Sequence, residues 1–576
     1  MNSSDETGSF AKNRALFAAL AAVLAGAVYL NALHNPFVYD DRRMIVENTS
    51  IQSLHNLRAI VWHDIARPLI NLSYAVDYAA WGSAPFGFHL TNVLLHVINV
   101  LLLFRLALLL VAGRPASRAS RVRPTVAAFA ASTLLAIHPL MTESVGYISG
   151  RPEVLSGTFF LLALLFAVGW MERGGPGRWT GTIAFWGLAL SVKETAVVFP
   201  LVALCCDALV LQASDEERRR RRMRLHTPLF AFAFAAGVAR LAVLIGVEHP
   251  GPLQLHWKYA LVELDVLRQY LLLFLLPQDQ AIFHAVSPVT SPFHMGGLLL
   301  LAGSTLALAW RARILDPVIT LGAFWFVLLL LPSAALVVFD RGEAMAEHRV
   351  YMASMGLFLA TGSGIGWLWG FLATERQLAR IVLRIVLALH FALFCAQTLF
   401  RNLLWSDPVA LWQEARRNAP DSWVPRLGLA EALQDQGRCP EAILEFRAAM
   451  LARPEQRFGY SKLGACLIAV GQLDDAAAVF AELRALEPTS PEPSIGDGMI
   501  AMARHSPHDA KQSFLEALDE DPENVTARRL LVWIVEPTDP AEALRLCREI
   551  RQLAPGTEGN DDCIRRNQAR TSPGSR

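Results

Sequence analysis

Residues 15–33 read ALFAALAAVLAGAVYLNAL, and Asn35-Pro36-Phe37-Val38-Tyr39-Asp40-Asp41-Arg42-Arg43 follows almost at once. The apolar run is long enough to cross a bilayer, for which a helix needs about 20 residues. No small-x-small cleavage site precedes the polar stretch, so the run reads as a retained span and not as a signal peptide. Two adjacent carboxylates at the mouth of a span are costly unless water, a cation or a substrate meets them. A solvated loop with two acids and two arginines is the plain alternative. The rest of the chain decides between them.

Composition first sets the class. The 576 residues are 53% hydrophobic and 18% charged, with a mean hydropathy of +0.35. That is too apolar for an ordinary soluble protein and fits a polytopic membrane protein with a soluble part attached. The net charge of +1 carries no sign of nucleic-acid binding. The seven cysteines show no CxxC pair and no metal spacing, and they read as packing residues. Cys547 and Cys563 could pair in an oxidising compartment.

Apolar runs place spans at roughly 14–33, 88–112, 124–137, 153–170, 179–192, 195–212, 228–246, 295–310, 315–338, 350–372 and 380–400. Residues 1–13 form a short polar tail. Arginines crowd the short loops between spans: Arg114, Arg118, Arg121 and Arg123; Arg218 to Arg222 and Arg224; Arg311 and Arg313; Arg376, Arg380 and Arg384. Basic short loops stay cytoplasmic. All four do so only if one apolar stretch fails to cross, and 259–277 is the candidate, because Glu263, Asp265 and Arg268 would sit in hydrocarbon. It reads as an interfacial or re-entrant segment. The expectation is about 11 spans, a cytoplasmic N-terminus and a non-cytoplasmic C-terminus.

This topology collects polar groups on the outer face. The first outer loop, 34–87, holds Asp40, Asp41, Arg67-Pro68 and Asp77. Later turns bring His138-Pro139, Glu143, Gly150-Arg151-Pro152-Glu153, Lys193-Glu194 and Glu347-His348-Arg349. Each has a bland reading as a helix terminus or an interfacial anchor. Together on one face they predict a polar cavity.

From about 401 the chain changes to soluble amphipathic helices with a repeat. Ala442, Ala476 and Ala510 are 34 apart, as are Phe446, Phe480 and Phe514, and Pro420, Pro454, Pro488 and Pro522. A fourth unit, Ala543 to Pro555, is one residue short. A 34-residue period with Ala, an aromatic and then Pro is the tetratricopeptide (TPR) pattern. The fold class predicted is therefore all-α: a polytopic helical membrane domain over 14–400, then a TPR α-solenoid over 401–556. Residues 557–576 read as a polar, disordered tail.

On the outer face neither ATP nor nucleotide sugars are present, so a group transfer there draws on a lipid-borne donor. Sugar transfer from a polyprenyl phosphate needs a carboxylate to take the acceptor's proton. It also needs cationic groups to meet the departing phosphate. Asp40 or Asp41 can supply the first; Arg67, His138, Arg151, Lys193 and Arg349 are candidates for the second.

Several stretches then carry a family resemblance. In order come Phe37-Val38-Tyr39-Asp40-Asp41, Arg67-Pro68-Leu69, Phe86-Gly87-Phe88-His89-Leu90-Thr91-Asn92, His138-Pro139-Leu140-Met141-Thr142-Glu143-Ser144-Val145, Gly150-Arg151-Pro152-Glu153, Lys193-Glu194 and Glu347-His348-Arg349-Val350-Tyr351. The chain resembles the transmembrane-and-TPR-containing O-mannosyltransferase family, relatives of the protein O-mannosyltransferases with the GT-C fold. The resemblance implies a polyprenyl- or dolichyl-phosphate sugar donor and inverting transfer to a protein hydroxyl. It also implies TPRs on the active-site side. Asp40 and Asp41 take the acidic-pair role, with Asp41, further from the span end, favoured as base. Arg67, His138, Glu143, Arg151, Glu153, Lys193, His348 and Arg349 are placed around the donor.

Two departures stand out. Pro152 stiffens the Gly-Arg turn, and His348 is an extra residue beside the donor phosphate. No cofactor is expected; metal-independent chemistry is favoured over a divalent ion held by the acidic pair with His138. The partners expected are the lipid-phosphate sugar, membrane lipid and an acceptor protein or peptide presented by the TPRs. An Ala- and Arg-rich composition reads as bacterial, which places the TPRs in the periplasm, or in the lumen of the endoplasmic reticulum for a eukaryotic chain. A non-catalytic, membrane-anchored TPR scaffold is the alternative. A lipid-linked-sugar transporter fits less well, since few polar residues lie mid-span.

Overall fold

The computed structural model describes residues 3–112, 122–248, 259–286, 291–314, 316–338, 344–372, 377–455, 457–554 and 559–571, with side chains from residue 13 onward. Among them are helices and no strand. Two compact units emerge: Met1–Ile45 with Ser53–Asp407, and Val46–Gln52 with Pro408–Arg576. The expected first outer loop is thus divided. Its segment Val46–Gln52 belongs with the second unit and not with the membrane domain.

Among the described residues of the first unit, seven helices are long and apolar enough to cross a membrane: Asn13–Ala32, Pro85–Ala112, Ile148–Arg173, Asp215–Gly246, Pro292–Ala312, Pro317–Ala335 and Gln377–Leu404. An eighth span forms if Pro124–Ile137 and Pro139–Val145, bent by 56° at His138, count as one. Eleven were expected; by length and composition the described residues hold seven or eight. The run at 179–192 becomes a helix of only 15 residues, Pro176–Leu190. The run at 195–212 breaks into the 3-10 turn Glu194–Val198, the short helix Phe199–Cys205 and the π turn Cys206–Val210. Asp207 in that π turn accepts from Arg221 and, at 3.0 Å, from His226.

The run at 350–372 does fold as one helix, Tyr351–Phe371, but its apolar character is diluted by glycine and serine. Those small residues serve packing. Gly356 lies against the backbone of Gly322, and Gly362 against Ala127 and Ala131, so close that a Cβ would clash. Small residues let helix backbones approach where lipid supplies no hydrophobic drive. The stretch read as non-crossing is a 17-residue helix, Tyr259–Leu275, burying Val262, Val266, Tyr270 and Leu273 along one face. Of the expected basic loops, Arg114, Arg118, Arg121 and Arg376 lie outside the described residues.

The second unit is a run of paired helices from Pro408–Asn418 to Asn560–Thr571. The alanines of the repeat, Ala442, Ala476, Ala510 and Ala543, are fully buried, and Phe446, Phe480 and Phe514 nearly so. Glycines seat the repeat aromatics between helices: Gly464 of the preceding helix and Gly496 of the following one meet Phe480, and Gly498 meets Phe514. Helices end at Asn418, Ala452, Leu486 and Glu520, each two residues short of Pro420, Pro454, Pro488 or Pro522. Proline cannot continue the helix, because it has no N–H to give.

The expected disordered tail instead holds a helix, Asn560–Thr571, with Cys563 and Ile564 buried. Cys563 is bonded to Cys547, and a second disulfide joins Cys439 to Cys466. These four cysteines therefore cross-link helices, whereas Cys205, Cys206 and Cys395 of the first unit are free.

Candidate active site

Beyond the first span the chain turns sharply at Tyr39, whose φ of 52° is in the left-handed region. That conformation is uncommon for a non-glycine residue and clusters at functional sites. It sends the two neighbouring carboxylates different ways. Asp41 is fully buried. Its Oδ2 accepts from the Val38 N–H at 3.1 Å, and its Oδ1 accepts from the Ser149 N–H at 2.8 Å and the Ser149 hydroxyl at 2.6 Å. Burial pushes its carboxyl up to about 7, against the pull of the Ser149 and Val38 donors. Asp40 is exposed to a cavity, while its backbone N–H donates to the Tyr147 hydroxyl at 3.0 Å. Burial raises the Asp40 carboxyl too, and His348, Tyr147 and Arg43 moderate the rise. Asp41 spends its oxygens tying the loop to Val38 and Ser149, and Asp40, not Asp41, opens on the cavity.

The cavity has a volume of about 390 Å³. Asp40 shares it with the cations Arg43, Arg67, Lys193 and Arg349, and with His348. Arg67 stands at the N-terminus of helix Pro68–Trp81 and pairs with Glu194 at 3.0 Å. Burial of Glu194 is outweighed by Arg67 and Lys193, which hold its carboxyl down at about 2. Lys193 forms a buried ion pair with Glu153. His348 Nδ1 lies 2.6 Å from Glu143 Oε1, and burial, with Lys193 and Arg349 nearby, holds its imidazole down at about 3. Beneath it, Glu347 accepts from the Ala281 N–H at 2.7 Å, Gln280 at 2.8 Å and His284 at 2.9 Å.

An apolar groove of about 400 Å³ runs between helices Tyr259–Leu275 and Pro317–Val338. It shares Ser333 and Arg349 with the polar cavity. A larger hollow, about 630 Å³ beside Gln212, Ser214 and Arg218, includes none of the residues read as catalytic or donor-binding.

Of the residues singled out in the sequence, Asp40, Arg67, Glu143, Glu153, Lys193, His348 and Arg349 line the cavity. Asp41, His138 and Arg151 do not. Both His138 ring nitrogens are engaged, with the Phe274 carbonyl at 2.9 Å and the Leu140 N–H at 3.2 Å. The ring is also packed against Phe274, Phe358 and Phe394, so it is placed neither for a phosphate nor for a metal. Arg151 is completely buried. It pairs with Asp77 at 2.6 Å, donates to Asn92 and to the Phe88 carbonyl at 2.8 Å each, and lies over the Tyr74 ring. It braces helices and faces no cavity. Sequence reasoning passed over Arg43 and Glu194 as site residues, although both stand in the stretches quoted for the resemblance or beside them. Tyr147 and Ser149, which hold the acidic pair apart, gave no signal at all. Among the described residues no three His, Cys, Asp or Glu side chains gather as metal ligands.

Residues 69–241 match the model of the dolichyl-phosphate-mannose-protein mannosyltransferases. The chain is similar to Protein O-mannosyl-transferase Tmtc1 of Drosophila melanogaster, 27% identical across 75% of this chain and 61% of that one. It is similar also to Protein O-mannosyl-transferase TMTC1 of Homo sapiens, 25% identical across 78% of this chain and 56% of that one. The chain thus spans well under two thirds of these relatives' length. A solved TPR protein of Thermus thermophilus covers 32% of this chain at 16% identity, with a TM-score of 0.26, too low to carry an argument.

Proposed function

We propose that the chain is a transmembrane-and-TPR-containing O-mannosyltransferase and moves a hexose, mannose first among them, from a polyprenyl- or dolichyl-phosphate carrier to a protein Ser or Thr hydroxyl, a reading supported by its similarity to the O-mannosyl-transferases above. The observation that carries this reading is the single cavity in which Asp40 faces Arg43, Arg67, Lys193 and Arg349. Asp40 takes the acceptor's proton as its oxygen bonds to the sugar's anomeric carbon. The bond from that carbon to the phosphate oxygen breaks, and the lipid phosphate leaves with its charge met by the arginines. One displacement inverts the anomeric centre. The adjoining apolar groove, meeting the cavity at Arg349 and Ser333, suits a carrier whose head is anionic and whose tail is hydrocarbon.

The two disulfides of the second unit support an oxidising compartment for the TPRs, the periplasm or the lumen of the endoplasmic reticulum. There the repeats would present the acceptor. The test is transfer by purified wild type and Asp40→Asn protein, using lipid-phosphate mannose and Ser/Thr peptides read by mass spectrometry. Asp40→Asn is expected to lose at least about 100-fold in rate. Full transfer by the variant would remove Asp40 from the chemistry. A cellular function that survives Asp40→Asn but needs the repeats would favour the scaffold.

A further inference from the structure

Glu143 and Glu347 are buried close enough to interact, and they are unequally provided for. Glu347 receives three donors, from Ala281, Gln280 and His284. Glu143 has one side-chain partner, Nδ1 of His348, with the Glu347 backbone beside it, and its Oε2 is buried with no hydrogen bond. His284 and Arg401 bring positive charge toward both carboxyls, but the His284 ring is spent on Glu347. An orphaned oxygen on a buried anion costs far more than on a neutral acid. So of the two, Glu347 is the anion.

We propose that Glu143 keeps its proton at neutral pH and donates it to Nδ1 of His348, which turns Nε2–H of the imidazole into a neutral donor for the phosphate of the lipid carrier. The hydrogen bond made by one ring nitrogen decides the state of the other. With Nδ1 accepting, the ring proton must sit on Nε2, which has no hydrogen-bond partner among the described residues. The ring lines the cavity, and the hydroxyl of Ser144 holds the His348 carbonyl at 3.1 Å. Lys193, Arg349, Glu153 and Asp40 are the charged groups that face it. Lys193 and Arg349 are cations that oppose an imidazolium, so the ring contributes direction to phosphate binding without adding charge. Glu143 is then a positioning residue. The rival arrangement, an ionised Glu143 that makes His348 a base, demands the opposite tautomer.

The inference rests on the proposed lipid-phosphate donor, and binding separates the two. Undecaprenyl phosphate and dolichyl phosphate are titrated against full-length protein in nanodiscs, with thermal unfolding of each variant as a check on folding. His348→Phe is expected to weaken binding about tenfold, and His348→Gln, which restores an N–H, distinctly less. Glu143→Gln still donates to Nδ1 and is expected to weaken binding less than about threefold, against about tenfold for Glu143→Ala. Equal losses for Glu143→Gln and Glu143→Ala, in folded protein, would overturn the proton on Glu143. Unaltered binding by His348→Phe, where Arg67→Ala binds weakly, would overturn the contact and leave the donor reading standing. A wild type that binds neither lipid phosphate would overturn both.

Discussion

The two units handle charge in opposite ways. In the membrane unit the ion pairs are inside: Arg151 and Asp77 are 0% and 7% exposed, and Lys193 and Glu153 nearly as hidden. In the repeat unit they decorate the surface, as in Arg447 with Asp475, where both partners are about half exposed, or Arg504 with Asp474. Water rewards the second arrangement weakly, since solvated pairs lose little when broken. Apolar surroundings make the first nearly compulsory, because a buried charge without its partner is far more costly than the pair. The membrane unit therefore has its chemistry and its stability entangled in one polar interior. The repeats keep their stability in buried Ala and Phe and leave their charged side chains in water.

That contrast can be broken in graded steps. Arg151→Met, which strands Asp77, is expected to cost about 3–5 kcal/mol, read as lost thermal stability or failure to accumulate in membranes. A small effect would mean water reaches that interior. Replacing Cys439 and Cys466 by Ser opens a cross-link spanning 27 residues and should cost the repeats about 3 kcal/mol, seen as a lower unfolding midpoint that reducing agent shifts less than in the wild type, since Cys547–Cys563 remains. If transfer kinetics moved in step, the two units would not be as separable as their interiors imply.

A smaller effect sharpens the chemistry. Because burial lifts the Asp40 carboxyl above the ordinary value near about 3.9, and the base must be ionised, the transfer rate should fall as pH drops through that raised pKa. The fall should approach about tenfold per pH unit below it. A rate that stays flat down to about pH 4 would argue against Asp40 as base. Smallest of all, Arg447→Ala should change stability by less than about 1 kcal/mol, by denaturant titration. A loss like that of Arg151→Met would erase the contrast.

Much of the fold was legible in the sequence, and for physical reasons. A 34-residue period of Ala, Phe and Pro repeats one packing solution, so each copy corroborates the next. The membrane helices were harder to count. Tyr351–Phe371 trades hydropathy for glycines that fit its neighbours, and the 194–210 stretch is apolar throughout yet changes helix type twice. In the site, residue types were legible and their directions were not. Asp40 and Asp41 are indistinguishable on paper; what parts them is the backbone turn at Tyr39 and donors from Ser149, 108 positions away. Arg151 had the chemistry of a phosphate ligand, but Asp77 and Asn92 on other helices claim it first. The last helix escaped notice because Cys563 and Ile564 are nearly its only apolar residues.

The seven-residue piece Val46–Gln52 carries a consequence for biosynthesis. It is made among the first segments of the chain but belongs to a body whose other members begin at Pro408. At about 5–20 residues per second on the ribosome, it waits tens of seconds for its partners. Through that interval the membrane helices emerge and insert while Val46–Gln52 has none of its later partners. Completion of the last-made domain is then what gives Val46–Gln52 its packing partners, so a ribosome that stops early leaves that early-made segment without the body it belongs to.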